Sequence, residues 1–281
     1  MTAKWEKRGN PIRRFFDELI NGKPELWPRP QLSGEPDPVF LFVLTTPYSG
    51  STALAKILDT SQHGMTLNDS GEGQWLVPGL RQLEKWHEDM YVDWQSVRAV
   101  WLERFQEARR QNNQLRVVIE KSPANLVRAA QFAENFPTAS FLGFTRNPYA
   151  CCASIFHRRW DPRNSLASYR NKKFKQIAGH WARRTRLIRD FVEPRGIEWF
   201  TYEQFCADTA GCVAKINKAC PDLEGIDPQG KVKVKNYKVQ KITNQNPRQL
   251  AMLKPADIDA INSALTEHAD LMSFYGYELI D

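Results

Sequence analysis

The chain has 281 residues, 42% of them hydrophobic and 11% aromatic, a composition that supports a sizeable core and excludes a disordered protein. It holds no apolar run of the ~18 residues a membrane span needs, and its basic start, MTAKWEKRGNPIRRFFDELINGK, lacks the apolar stretch of a secretory signal, so a cytoplasmic protein is expected. The formal net charge of +7 is unevenly spread: residues 158–189 carry eleven Lys or Arg against one acid, and residues 231–254 carry seven against none.

In chain order, residues 1–38 read as an N-terminal helix and a lead-in, PELWPRPQLSGEPDP, whose five prolines break regular structure. The apolar run from Val39 to Val43 opens a strand over 39–45, followed by a loop of small residues and a helix over 51–61. A short strand near 65–68 precedes helices over 73–84 and 94–113, a strand over 116–120 and a helix over 124–135. A strand over 139–145 leads into helices over 149–159 and 166–192, the second long and basic. A strand over 197–201, two short helices within 202–220 and a helix over 255–268, opened by Pro255 and early acids, complete the series.

Strands alternating with helices predict an α/β fold: one domain over 39–281 with a central parallel sheet flanked by helices on both faces. Ligands of such sheets sit beyond the carboxyl ends of the strands, which gathers residues 45–52, 121–125, 146–149 and 202 around one crevice.

Three stretches at those strand ends carry chemistry. In Leu44-Thr45-Thr46-Pro47-Tyr48-Ser49-Gly50-Ser51-Thr52, the amides of Ser49, Gly50, Ser51 and Thr52 can surround an oxyanion at a helix N-terminus, where the helix dipole favours negative charge. The lysine of the triphosphate-binding pattern G-x-x-x-x-G-K-[ST] is missing, which disfavours a kinase. In Glu120-Lys121-Ser122-Pro123, the proline opens a helix and Lys121 stands at a strand end. In Phe144-Thr145-Arg146-Asn147-Pro148, the strand delivers Arg146, whose planar fork suits phosphate, and Ser154 follows two helical turns on. Each alone is ordinary: a capping turn, a surface lysine, a surface arginine.

Two basic segments on a body that otherwise holds 21 basic and 31 acidic residues favour a local anionic ligand over a generally adhesive surface, and no nucleic-acid partner is expected. The segment 158–189 is read either as a solvated helix face or as a path for an anionic acceptor. The five cysteines, at 151, 152, 206, 212 and 220, show no metal-ligand spacing and read as reduced core residues.

Taken in order, these stretches resemble the sulfotransferases that use 3′-phosphoadenosine 5′-phosphosulfate (PAPS), a P-loop-type nucleotide-binding fold. PYSGST is similar to the loop P-[KR]-S-G-[ST]-T that holds the 5′-phosphosulfate, and Arg146-x-Pro148-x-x-x-x-x-Ser154 has the spacing of the loop that holds the 3′-phosphate. Within the family the pattern is most similar to the tyrosylprotein-sulfotransferase-like branch. Gly71-Glu72-Gly73-Gln74-Trp75-Leu76-Val77-Pro78, Glu120-Lys121-Ser122-Pro123, Tyr202-Glu203-Gln204-Phe205 and Lys254-Pro255 correspond to its further motifs. Two positions depart: Tyr48 stands where the first loop usually has Lys or Arg, and Gly73 stands where that branch has its second Glu, leaving Glu72 one position away.

The resemblance implies sulfuryl transfer from PAPS to an acceptor hydroxyl or amine, with adenosine 3′,5′-bisphosphate (PAP) as product and no metal. It implies that Tyr48, Ser49, Gly50, Ser51, Thr52, Arg146, Ser154, Tyr202, Arg248 and Lys254 bind the nucleotide, and that Lys121 stabilises the leaving group. Glu72 is the first candidate for the base, His157 the second and His63 the third. The acceptor is expected to be anionic or a small alcohol. A nucleotide-binding protein without catalysis and a small-molecule kinase are the alternatives.

Overall fold

A computed structural model describes residues 26–30, 37–160, 166–234 and 238–280. The expected N-terminal helix therefore lies outside the described residues, as do parts of the proline-rich lead-in and of both basic segments.

Five parallel strands form one sheet: β1 (Val39–Thr45), β2 (Gly64–Thr66), β3 (Val117–Glu120), β4 (Ser140–Thr145) and β5 (Trp199–Thr201), in the order β2-β3-β1-β4-β5. Phe42 of β1 pairs with Glu120 on one side and Phe141 on the other, so the sheet's axis passes through the strand that delivers the small-residue loop. After β1 the chain jumps to the edge strand β2, returns inward through β3, then crosses to the other side of β1 through β4 and β5. Such a reversal opens a crevice at the carboxyl end of the central strand.

The helices are α1 (Ser51–Leu58), α2 (Trp94–Arg109), α3 (Ala129–Asn135), α4 (Pro148–Arg159), α5 (Ala167–Val192), α6 (Tyr202–Ala207), α7 (Thr209–Ala219), α8 (Asn246–Leu250), α9 (Pro255–Leu265) and α10 (Ala269–Phe274). Alternation along β1 splits its side chains between two cores. Leu41 and Val43 pack with Leu54 and Ile57 of α1 and Ile216 of α7, whereas Phe40 and Phe42 meet Trp101 of α2 and Phe132 of α3. Trp101 is fully buried and stacks on Phe132 with the ring planes 5° apart. A third core joins α4, α5 and α9 through Phe156, Phe174 and Ile261. Within it the buried Arg170 of α5 makes a bidentate pair with Asp257 of α9, at 3.0 and 2.5 Å.

The expected strands and most of the helices are present, with ends shifted by a few residues. The helix expected over 73–84 is not: that stretch forms three 3₁₀ turns, Gly73–Trp75, Pro78–Arg81 and Leu83–Trp86. Pro78 holds Val77 in an extended conformation, which interrupts any continuous helix, and the indole of Trp27 occupies the space a side chain at Gly79 would need. The 3₁₀ turn Pro123–Arg128 likewise replaces the first half of the helix expected over 124–135.

Candidate functional site

A cavity of about 890 Å³ opens beyond the carboxyl ends of the strands. Its floor is the loop after β1. Thr45 and Ser49 share a 2.6 Å hydroxyl contact that pulls Ser49 under the loop, so Ser49 is fully buried while Tyr48, Gly50, Ser51 and Thr52 line the cavity. Two residues of the loop have positive φ, 64° at Tyr48 and 91° at Gly50. Gly50 is required for a second reason: a Cβ there would lie 2.5 Å from the ring of Tyr202, which covers the loop.

The catalytic candidates come from β3 and from the turn at 71–75. Glu120 ends β3 as a buried carboxylate and accepts from the Gly73 amide at 3.0 Å, the Asn125 amide group at 2.9 Å, and both the amide and the hydroxyl of Ser122. Burial pushes its pKa up, against the opposing pull of these donors. The Lys121 amide donates to the Gly71 carbonyl at 2.9 Å, which fastens the turn to the strand end. A Cβ at Gly71 would crowd the Lys121 stem at 3.1 Å.

Lys121 is 1% exposed, and its ammonium lies 3.1 Å from Glu72 Oε1 and 3.4 Å from Thr52 Oγ1. Burial lowers the lysine's pKa, with Glu72 and Glu120 opposing. Glu72 Oε2 accepts from Gln74 at 3.1 Å and from the Trp75 indole at 2.8 Å. Burial would raise its pKa, but the charge and hydrogen bond of Lys121 together with those two donors hold it below the usual carboxylate range.

At position 73 a Cβ would lie 2.4 Å from Leu67 and 3.0 Å from the Trp101 indole, so a side chain there would run into the core. The carboxylate that the turn presents to the cavity is the one at position 72.

The third contribution comes from β4. Arg146 donates through Nε to Asn246 at 2.8 Å and through Nη1 to the Tyr48 carbonyl at 3.2 Å, and its Cζ lies 4.3 Å from the centre of the Tyr202 ring. Its Nη2 is buried and has no hydrogen-bond partner among the described residues. Ser154, buried on α4, lines the same cavity. Asn147 caps α4 by accepting from the Ala150 amide at 3.1 Å, which orients the helix start beside Arg146.

Glu203 accepts from the Asn147 amide at 3.0 Å, from Asn246 at 2.5 Å and from the Tyr277 hydroxyl at 2.8 Å. The Tyr202 hydroxyl donates to the Thr243 carbonyl at 2.9 Å and accepts from the Gln245 amide at 3.1 Å. Adjacent residues of α6 thereby hold the 243–246 segment against the cavity.

The remaining expected residues lie elsewhere. Arg248 is exposed on α8 and does not line the cavity, because Gln249 of α8 and Gln245 just before it, one turn apart, face the cavity instead. Lys254 is exposed at the start of α9, where its amide donates to Asp257 at 2.8 Å. Of the second basic segment, Lys238 and Lys241 reach the cavity. His157 is likewise outside the lining: Ser154 and Arg158 take the cavity-facing row of α4, and the His157 Nε2 is buried with no hydrogen-bond partner among the described residues. His63 sits at the opposite end of the sheet, where its carbonyl accepts from Arg116 and Val117 at the start of β3.

Tyr48 brings two arginines from α4 to the loop. Its hydroxyl accepts from Arg159 Nε at 3.1 Å, and the guanidinium carbons of Arg158 and Arg159 lie 5.9 and 5.7 Å from its ring centre. All five cysteines are free thiols, and burial pushes the pKa of Cys151 up to about 12. Among the described residues no group of three or more His, Cys, Asp or Glu converges as a metal site, and no helix is long and apolar enough to cross a membrane.

Two solved structures share the fold. A sulfotransferase from Alicyclobacillus acidocaldarius aligns at a TM-score of 0.50 with 16% identity, over 87% of this chain and 98% of that one. A sulfotransferase from Mycobacterium avium aligns at a TM-score of 0.50 with 12% identity, over 95% of this chain and 81% of that one. None of the curated proteins matches the sequence. The sulfotransferase family model matches residues 38–224, a stretch that includes β1 with its loop, the Glu72 turn, Lys121, Arg146 and Tyr202. By that match, which spans most of its length, this chain belongs to the sulfotransferase family.

Proposed function

We propose that this sulfotransferase takes its sulfuryl group from PAPS and passes it to an acceptor hydroxyl or amine. One observation carries the proposal: a single cavity joins Arg146, whose buried Nη2 has no partner among the described residues, to the Lys121–Glu72 pair, across the amides of the 50–52 loop. A buried donor atom left unsatisfied costs about 1–3 kcal/mol, and a phosphate oxygen is the kind of acceptor that a guanidinium fork suits. Arg146 and Ser154 would hold the 3′-phosphate, and Tyr202 would lie against the adenine. The amides of Gly50, Ser51 and Thr52 would hold the 5′-phosphosulfate. When bound, the donor supplies an activated sulfuryl group whose bond to the 5′-phosphate oxygen breaks as a bond to the acceptor oxygen or nitrogen forms.

The chain's own residues then have separate tasks. Lys121 and the loop amides place positive charge where the leaving oxygen gains negative charge, and preorganised donors of this kind need no rearrangement during reaction. Glu72, ionised and anchored by Gln74 and Trp75, accepts the proton from the acceptor. The order of motifs from Gly71 to Pro255 supports placement in the tyrosylprotein-sulfotransferase-like branch.

Calorimetric titration tests the donor assignment. PAP should bind, and ATP with magnesium should bind much more weakly; equal or tighter binding of ATP would sink it. Transfer of labelled sulfate from PAPS across a panel of acceptor alcohols then tests catalysis.

A further inference from the structure

The cavity contains a second group of side chains that the donor assignment leaves unused. Trp75 is 44% exposed and stands beside the base, its indole donating to Glu72. The Lys85 ammonium lies 5.0 Å from the centre of the Trp75 ring. The next residue, Trp86, also lines the cavity and has the Arg184 guanidinium carbon 3.9 Å from its ring centre. Arg159 meets the same cavity from α4, where Tyr48 holds it.

Among the described residues no carboxylate lies within ion-pair distance of Arg158, Arg159 or Arg184. Burial, together with the charges of Arg159 and Arg183, pulls the Arg184 pKa down to about 10. Like charges brought together repel one another, and an anion entering among them relieves that repulsion. The exposed indole face beside them offers a flat apolar surface on which a ring can stack.

We infer that the acceptor is an anionic molecule with a flat apolar face, which rests on Trp75 beside Glu72 while its charge is met by Lys85 and Arg159. The inference rests on the donor assignment, because it takes the Arg146 and Tyr202 end of the cavity to be filled by nucleotide. The cations near Trp75 and Trp86 then serve the other substrate. Selection works by charge as well as shape: a neutral acceptor of the same outline would forgo the attraction of Lys85 and Arg159.

Calorimetry on the PAP-saturated protein tests this with two probes of one shape, 2-naphthoate and 2-naphthamide. The naphthoate should bind about tenfold more tightly, the scale of one well-formed charge pair. In a Lys85→Ala, Arg159→Ala double variant that preference should fall below about threefold, while PAP affinity stays within about twofold of wild type. Equal binding of the two probes to wild type, or binding of neither, overturns the inference. So does a variant whose PAP affinity falls as far as its naphthoate affinity, since the cations would then serve the donor. A wild-type protein that binds no PAP overturns the donor assignment itself and the acceptor inference with it.

Discussion

Glu72 and Lys121 make the sharpest claims at the scale of single residues. Glu72→Gln keeps the shape and the contacts with Gln74 and Trp75 but removes the proton acceptor, so turnover should fall ~10²-fold or more with PAP affinity near wild type. More than about half of the activity surviving would remove Glu72 from the mechanism. The pH dependence separates the two residues. In wild type, burial raises the Glu72 pKa, and Lys121, Trp75 and Gln74 together more than offset it, leaving the group below its ordinary 4.5 and the acid limb of kcat/KM below that pH. Lys121→Ala leaves burial with only the Trp75 and Gln74 hydrogen bonds opposing it, so the residual activity should lose its acid limb at a higher pH than wild type. An unmoved limb would mean that Glu72 is not the group titrating. Gly73 supplies a control on stability: Gly73→Ala puts a methyl 2.4 Å from Leu67 and should cost ~1–3 kcal/mol in urea denaturation, and Gly73→Glu more.

Among the elements, β4 and the start of α4 form the unit that would recognise the 3′-phosphate of the proposed donor. Arg146→Ala should weaken PAP by ~1.5–3 kcal/mol while leaving adenosine 5′-phosphate nearly unchanged. Equal weakening of both would make Arg146 a structural residue. The sequence made this unit legible because a buried parallel strand reads as a continuous apolar run, and Arg146 follows directly on one. The same holds for β1 with its loop and for β3 with Lys121. It did not reveal the contribution of α8 or the role of Glu203, since a contact such as Glu203 to Asn246 joins residues 43 positions apart. Gln245 and Gln249 were invisible for that reason, whereas Arg248 drew notice as a charge and points away. The stretch 73–84 was misread as a helix because its apolar spacing fits one, while the features that break it are Pro78 and a glycine filled by the distant Trp27.

For the molecule as a whole, the cavity takes its lining from Pro47 to Gln249, so nucleotide binding tests the integrity of the entire sheet. Trp101 is the largest fully buried side chain in the core beneath the Glu72 turn, and its indole donates to the Gly73 carbonyl at 3.1 Å. Trp101→Ala should lose ~3–5 kcal/mol of stability. PAP at ~100 times its wild-type dissociation constant should add ~2.7 kcal/mol in wild type and less in the variant, because the turn that fastens the Lys121 strand end is then loosened. Equal restoration in both would mean that the turn is held independently of the core.

Glu120 makes that turn and the strand end a single mechanical part. One carboxylate grips the Gly73 amide on one side and Ser122 on the other, so the residues before and between them, Glu72 and Lys121, share an anchor. Thermal motion would carry the proposed proton acceptor and the cation together instead of opening the gap between them. An acceptor arriving at the cavity would then meet a pair of fixed spacing, and slow fluctuations of the sheet would alter where the reaction happens without altering the distance across which it happens.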